Sequence, residues 1–213
     1  MKYDLYFITD EAIAGGRSHA TIARLAVAGG ADIIQLRDKT RGCRELTRIG
    51  RDIQDITRSA GAGFIVNDRL DVALACGADG VHLGQGDISP ATARQLAPPG
   101  FIVGVSVGSR DEACRAEQEG ADYVALSPTF STGSKPDAGP GHGCEMLADI
   151  CRSVSIPVIA IGGIGPETIP EVIRAGAEGV AVISAVVAQP DITAAARELA
   201  AIIREERRKL QHE

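Results

Sequence analysis

Tryptophan is absent from the 213 residues, and Tyr and Phe together make up only 3% of them. Positive charge is also in deficit: 22 Lys and Arg stand against 28 Asp and Glu, a formal net charge of −6. A chain so poor in stacking rings and surplus cations is not built to hold a nucleic acid. The five cysteines (Cys43, Cys76, Cys114, Cys144 and Cys151) contain no C-x-x-C pair and no zinc-like spacing. Reduced structural thiols in a cytosolic setting are the expectation, with Cys76 and Cys114 as small buried hydrophobes. Long apolar runs are missing as well. The longest, Gly179 to Ala188, is about half of a membrane span, and Met1 to Ala12 has neither the apolar core nor the cleavage site of a secretory leader. A cytoplasmic protein without a membrane partner is expected.

What the chain does have is glycine, 25 residues of it, and a 45% hydrophobic content that suits one globular domain spanning residues 1–213. Short β-branched runs recur at Leu5–Thr9, Ile33–Arg37, Phe64–Asn67, Gly80–Leu83, Ile102–Ser106, Tyr123–Ser127, Pro157–Gly162 and Gly179–Ser184. Between them lie segments of helical periodicity, such as Ala20–Ala28, Arg44–Ala60, Arg110–Gln118 and Pro166–Ala175. Runs that are apolar on both faces belong to parallel strands covered by helices. Strict alternation of eight such runs predicts an α/β fold, a compact (β/α)8 TIM barrel.

An internal repeat supports closure. Gly30-Ala31-Asp32, Gly77-Ala78-Asp79, Gly120-Ala121-Asp122 and Gly176-Ala177-Glu178 each follow a helical segment and precede an even-numbered strand. The glycine suits a left-handed helix end, the alanine packs, and the acid is expected to face solvent. The repeat marks one end of the barrel, which directs the search for function to the C-terminal strand ends.

Alternation along the second run sends Gln35, Arg37 and Lys39 to one face, a polar set suited to phosphate or diphosphate. One of these cations plugging the barrel centre is the alternative. Asp68 and Asp87 follow neighbouring strands and offer two hard oxygen donors for Mg²⁺, with helix capping as the other role open to Asp68. After the sixth strand comes a long segment rich in Gly and Pro, running to about Gly143 and containing Thr132, Gly133, Ser134 and Lys135, suited to a second anion. Gly163, after strand seven, and Ile183 with Ser184, after strand eight, stand where barrels commonly cradle a phosphate, unless the glycines serve only a tight turn. His19, His142 and His212 show no partner at ligand spacing, and His82, on a strand, reads as a hydrogen-bonded structural group.

Taken in order, Leu5 to Asp10, Gln35 to Lys39, Phe64 to Arg69, Gly80 to Gln85, Gly104 to Ser106, Thr132 to Asp137, Ala160 to Ile164 and Gly179 to Ser184 resemble the thiamine-phosphate synthase family over nearly the whole chain. The resemblance implies joining an aminopyrimidine methyl diphosphate to a thiazole phosphate with release of diphosphate, a transferase reaction assisted by Mg²⁺. By position it implies that Gln35, Leu36, Arg37, Asp38, Lys39, Asn67, Ser106 and Lys135 hold the pyrimidine diphosphate. It also implies that Asp68 and Asp87 bind the metal, and that Thr132, Gly133, Ser134, Gly163, Ile183 and Ser184 meet the thiazole phosphate. Arg37, Lys39, Ser106 and Lys135 would form the catalytic set of a dissociative substitution. Two departures stand out: Gly108 where relatives often carry His, and Ser134 where a second Thr is common.

Three rivals remain: a thiazole tautomerase-like paralogue, a Schiff-base lyase using Lys39 or Lys135, and a non-catalytic thiazole-phosphate sensor. Arg37, Lys39, Asp68, Asp87 and Lys135 together favour the synthase, since an isomerase has no diphosphate to ionise. The acidic balance is no obstacle. Three cations and Mg²⁺ less two aspartates leave about +3, against roughly −3 on a diphosphate. The last helix, Ile192 to Lys209, packs on its own barrel or on a second copy, which leaves a homo-oligomer open.

Overall fold

Eight parallel strands close on themselves in the computed structural model, which describes residues 1–133 and 139–211. They are β1 (Leu5–Thr9), β2 (Ile33–Leu36), β3 (Gly63–Asn67), β4 (Gly80–Leu83), β5 (Ile102–Val107), β6 (Tyr123–Leu126), β7 (Val158–Ile161) and β8 (Gly179–Val182). Each pairs with its neighbours in sequence order, and β8 pairs with β1 through Leu5 opposite Val180. The expected (β/α)8 TIM barrel is the fold. The intervening helices are α1 (His19–Ala28), α2 (Cys43–Ala60), α3 (Leu70–Cys76), α4 (Pro90–Leu96), α5 (Arg110–Gln118), α6 (Gly143–Ser153), α7 (Ile169–Arg174), the short α8 (Ser184–Val187) and α9 (Ile192–Leu210).

Expected and observed strands differ mainly at their C-terminal ends. β2, β6, β7 and β8 stop one or two residues early, so Arg37, Ser127, Gly162 and Ile183 lie beyond the strands and Ser184 opens α8. The β-branched pattern continues past the last ladder bond there, and the chain has already turned into the mouth of the barrel.

All four glycines of the repeat adopt positive φ, from 74° at Gly77 to 102° at Gly176, and the alanines after them are buried. The acids correct the expectation. Asp32, Asp79 and Asp122 reach back to the preceding strand instead of facing only solvent. Their carboxylates accept from Leu5 N (3.0 Å), Phe64 N (2.8 Å) and Val103 N (2.7 Å), while their own N–H groups donate to the carbonyls of the same three residues. Each Asp thereby closes the N-terminal end of one strand-to-strand seam and satisfies a donor that the ladder leaves over. Glu178 repeats the backbone bond, to Val158, but its longer side chain lies 3.9 Å from the Arg207 guanidinium.

The interior is sealed by large side chains meeting glycines. Gly104 leaves room for the Tyr123 ring, against which a Cβ would collide. Tyr6 and Tyr123 are almost fully buried and stack tilted, with centroids 5.9 Å apart. All five cysteines are free. Cys76 is buried as expected, Cys114 only partly so, and Cys43 is exposed at the start of α2.

Candidate functional site at the C-terminal mouth of the barrel

Arg37, Lys39, Asn67, Asp68, Asp87, His82 and Ser106 line one cleft, although they come from four different strand ends. Asp68 holds φ of +62°, the only positive value at a non-glycine among the described residues. Asp tolerates this left-handed region better than most side chains. The turn follows directly from the ladder, where the Asp68 N–H donates to His82 O at 2.8 Å. It leaves the carboxylate within hydrogen-bonding reach of Asp87 and 4.0 Å from Lys39 Nζ. Burial first, and then the Asp87 charge, hold the Asp68 carboxyl above its ordinary pKa, against the pull of Lys39 and Arg37. The capping alternative fails, because α3 begins after Arg69 with no side-chain cap.

Two adjacent carboxylates that repel one another in a cation-lined cleft are a fitting donor set for Mg²⁺. That ion commonly takes one or two protein carboxylates and fills its remaining positions with water and substrate phosphate. Among the described residues no cluster of three or more ligating side chains occurs. Asp87 is oriented by the Gly84 N–H, which donates to its Oδ2 at 2.7 Å.

Beneath the cations, a polar chain crosses the barrel. Gln35 Nε2 donates to Tyr6 Oη (2.8 Å), Tyr6 and Tyr123 share a hydroxyl–hydroxyl bond (2.8 Å), and His82 joins Tyr123 Oη (2.9 Å) to Ser106 Oγ (2.9 Å). Gln35 is therefore in the barrel interior, 2% exposed, and His82 has the hydrogen-bonded role expected of it. Burial raises the pKa of both tyrosines, so they remain protonated relays. The barrel centre is filled by this polar chain; Arg37 stays at the mouth, 3.4 Å from Asp10 Oδ2.

Two of the expected contacts point elsewhere. The Leu36 side chain belongs to the core at 2% exposure. Asp38 turns away from the cleft: its Oδ1 accepts from Thr40 N (2.7 Å), Thr40 Oγ1 (2.8 Å) and Arg41 N (3.0 Å), and its Oδ2 meets Arg41 and His19 Nε2 (3.3 Å). His19, which showed no partner in the sequence, is 1% exposed and bonded to Thr9 Oγ1 at 2.7 Å. Its partners come from two separate stretches of chain, Thr9–Glu11 and Asp38–Arg41, so no local spacing could reveal them. Asp38 thus anchors the loop that carries Arg37 and Lys39.

A second cavity adjoins the first at Ser127 and Pro128. Thr132, Gly163, Ile183 and Ser184 line it, so these four expected phosphate contacts are brought together. Gly163 is at φ +64°, and a Cβ there would lie 2.7 Å from Phe130 Cβ and 2.8 Å from Ser131 O. The glycine therefore lets the segment after β6 lie directly on the loop after β7. Gly133 is exposed at the edge of this segment, and Ser134 and Lys135 lie outside the described residues.

One cleft residue was passed over in the sequence. His142, at the N-terminal end of α6, places Nε2 3.2 Å from where a Cβ on Gly108 would stand, and both line the first cleft. An imidazole from a different loop thus stands directly beside Gly108. The pairing of a Gly in one βα loop with a His in the next carried no signal along the chain.

A closed parallel barrel with a carboxylate pair, cations and a glycine-lined cavity at its C-terminal mouth defines a phosphate-handling (β/α)8 enzyme. The profile of the thiamine monophosphate synthase family matches residues 5–186. The thiamine-phosphate synthase of Methanoregula boonei is 65% identical over 199 residues, 93% of this chain and 92% of that one. That of Moorella thermoacetica is 50% identical over 208 residues, covering 98% and 99%. The solved structure of thiamine phosphate pyrophosphorylase from Pyrococcus furiosus superposes with a TM-score of 0.89 at 43% identity, covering 95% of this chain and 96% of that one. The chain belongs to the thiamine monophosphate synthase family and is a transferase of thiamine biosynthesis. Among the described residues no helix is long and apolar enough to cross a membrane.

Proposed function

We propose that the enzyme condenses 4-amino-2-methyl-5-(diphosphooxymethyl)pyrimidine with 4-methyl-5-(2-phosphooxyethyl)thiazole, giving thiamine phosphate and diphosphate, in the cytoplasm. The observation that carries this reading is the junction of two cavities at Ser127 and Pro128, one lined by cations and a carboxylate pair, the other by Gly163, Ile183 and Ser184. Two anionic substrates seated there would meet end to end. Gln35 and Ser106 receive the pyrimidine ring, Asn67, Arg37, Lys39 and Lys135 its diphosphate, and Asp68 and Asp87 hold Mg²⁺. Thr132, Gly133, Ser134, Gly163, Ile183 and Ser184 receive the thiazole phosphate.

The bond from the pyrimidine methylene to the diphosphate oxygen breaks with its electron pair leaving on the diphosphate, and the aminopyrimidine delocalises the cation that remains. Arg37, Lys39 and Lys135 place positive charge where the leaving group becomes more negative, a contribution of about several kcal/mol. Asp68 and Asp87 would hold Mg²⁺, which would supply Lewis-acid stabilisation to the departing diphosphate. The thiazole nitrogen, positioned through its phosphate, then donates its lone pair to the methylene carbon. No enzyme nucleophile or imine is required.

Purified protein given both substrates should release thiamine phosphate and diphosphate in equal amounts, and only with a divalent cation. Asp68→Ala and Asp87→Ala should each lower kcat by about a hundredfold or more while the circular dichroism spectrum is retained. Full activity in EDTA would overturn the metal assignment. No product from the parent protein would favour the tautomerase or the sensor.

A further inference from the structure

The β1–β2 ladder ends at Thr9 opposite Leu36, and the residues from 37 to the start of α2 carry Arg37 and Lys39 outside any strand. The three bonds from Thr40 and Arg41 to Asp38 Oδ1 stay inside this loop, so they give it a shape but no place on the barrel. The two cationic heads add little, since Arg37 Nη1 is 3.4 Å from Asp10 Oδ2 and Lys39 Nζ 4.0 Å from Asp68 Oδ2, both long contacts. Placement comes from bonds that leave the loop, and these run to His19 or to the hydroxyl beside it. His19 Nδ1 is 2.7 Å from Thr9 Oγ1, the atom that accepts the Arg37 N–H at 3.4 Å and donates to Gln35 O at 3.2 Å. On the far corner of the ring, Nε2 is 3.3 Å from Asp38 Oδ2, with Arg41 Nη1 at 3.5 Å and Glu11 Oε1 at 3.8 Å. One almost fully buried imidazole therefore touches the backbone support of Arg37 on one side and the residue between Arg37 and Lys39 on the other. The imidazole is itself held. His19 opens α1, its N–H donates to Glu11 Oε1 at 2.9 Å, and Glu11 Oε2 accepts from Arg41 Nη2 at 2.7 Å. Arg41 also meets Asp38, which closes a ring of four side chains.

We propose that His19 is a positioning residue for the diphosphate: it meets no substrate, and through Thr9 and Asp38 it sets where Arg37 and Lys39 stand. The proposal rests on the assignment of the diphosphate to those two cations above. Charges that stabilise a leaving group act most strongly when they are in place beforehand, and a shift of about 1 Å costs up to about a hundredfold. A rigid ring with polar atoms at two corners spans the gap from Thr9 to Asp38 in one piece. The cavity assigned to the thiazole phosphate is built from the ends of β6, β7 and β8, a separate arc of the mouth, so loss of His19 falls on one substrate and spares the other.

The test measures KM for both substrates, and Ki for inorganic diphosphate with Mg²⁺ present, in the parent, His19→Asn and His19→Gln. The Asn amide stands near the Nδ1 position, within reach of Thr9 but short of Asp38, whereas the longer Gln extends to the Nε2 position and so to Asp38. In His19→Asn, KM for the pyrimidine diphosphate and Ki for diphosphate should rise together by about tenfold, while in His19→Gln both stay within about threefold of the parent. KM for thiazole phosphate should be unchanged in each. His19→Leu makes neither link and should raise the same two constants at least as far, which keeps the test decisive if His19→Asn does not fold. Because the effect passes through Asp38, combining His19→Asn with Asp38→Asn should raise KM no further than the larger single change, whereas independent sites would multiply. A merely structural histidine would lower the folded fraction or kcat and leave KM and Ki alone, and that result would overturn the proposal. Equal rises for the two substrates, equal effects of Asn and Gln, or multiplying effects with Asp38→Asn would overturn it too. A parent that neither forms thiamine phosphate nor binds diphosphate would overturn the substrate reading itself, and this proposal with it.

Discussion

Asp68 combines a left-handed backbone with a carboxylate pressed against a second one. Its residue type and position at a strand end were legible; its conformation was not, because φ is set by where the β3 ladder ends and α3 must begin. The raised pKa has a sign worth following. A carboxyl that binds its proton more tightly folded than unfolded destabilises the fold as pH rises through the carboxylate range. Asp68→Asn keeps a side chain that tolerates φ of +62° and removes the repulsion from Asp87. In metal-free buffer at pH 7 it should melt higher than the parent, by about 1 kcal/mol, and Mg²⁺ should no longer raise its Tm. A lower melting temperature would show that the carboxylate pair is not under electrostatic strain. Gly108 and His142 teach the converse lesson at this scale: the space beside a glycine in one loop is taken by a side chain from another.

At the scale of elements, apolar periodicity placed the strands and helices well, since burial on both faces leaves its mark on every turn of sequence. Loops carried less. Gln35 and Arg37 were rightly put on the inward face, but Asp38, flanked by two site residues, is committed to the loop itself. Burial alone would raise its pKa; the hydrogen bonds from Thr40 and Arg41 outweigh that and hold the carboxyl well below the usual range. A depressed folded pKa means stability that is complete above the unfolded value of about 4 and is lost as pH falls through and below it. Asp38→Asn should therefore cost about 1–3 kcal/mol at pH 7, with the deficit shrinking toward pH 2. Urea denaturation at several pH values measures this. KM for the pyrimidine diphosphate should rise as well, because the loop bearing Arg37 and Lys39 loses its anchor. A deficit independent of pH would show that the carboxylate's charge is not what anchors the loop.

For the whole molecule, the four-fold Gly-Ala-acid repeat gave the barrel away, since an open sheet offers no reason for four equivalent quarters. Its acids nevertheless differ in what they do. Asp79→Ala removes the acceptor of the Phe64 N–H and should cost about 1–2 kcal/mol. Glu178→Ala removes only a side chain 3.9 Å from Arg207, in an exposed pairing, and should cost under about 0.5 kcal/mol. Thermal melts of the two variants separate these roles, and equal losses would contradict them.

Composition and periodicity by themselves determined the strand order, the end of the barrel that carries function and most of the residue types at the mouth. Those features follow from interactions each residue has with its near neighbours or with the solvent. The family likeness was carried by motifs in the same local way. Only the tertiary structure decided which charges neutralise which. It turned Asp38 and His19 toward each other and away from the cleft, set Asp68 against Asp87, and joined Gln35 to Ser106 through two buried tyrosines and His82. Hydrogen bonds and Coulomb forces reach only a few ångströms, and barrel closure brings residues as far apart in sequence as Asp4 and Val180, or Tyr6 and Tyr123, within that range.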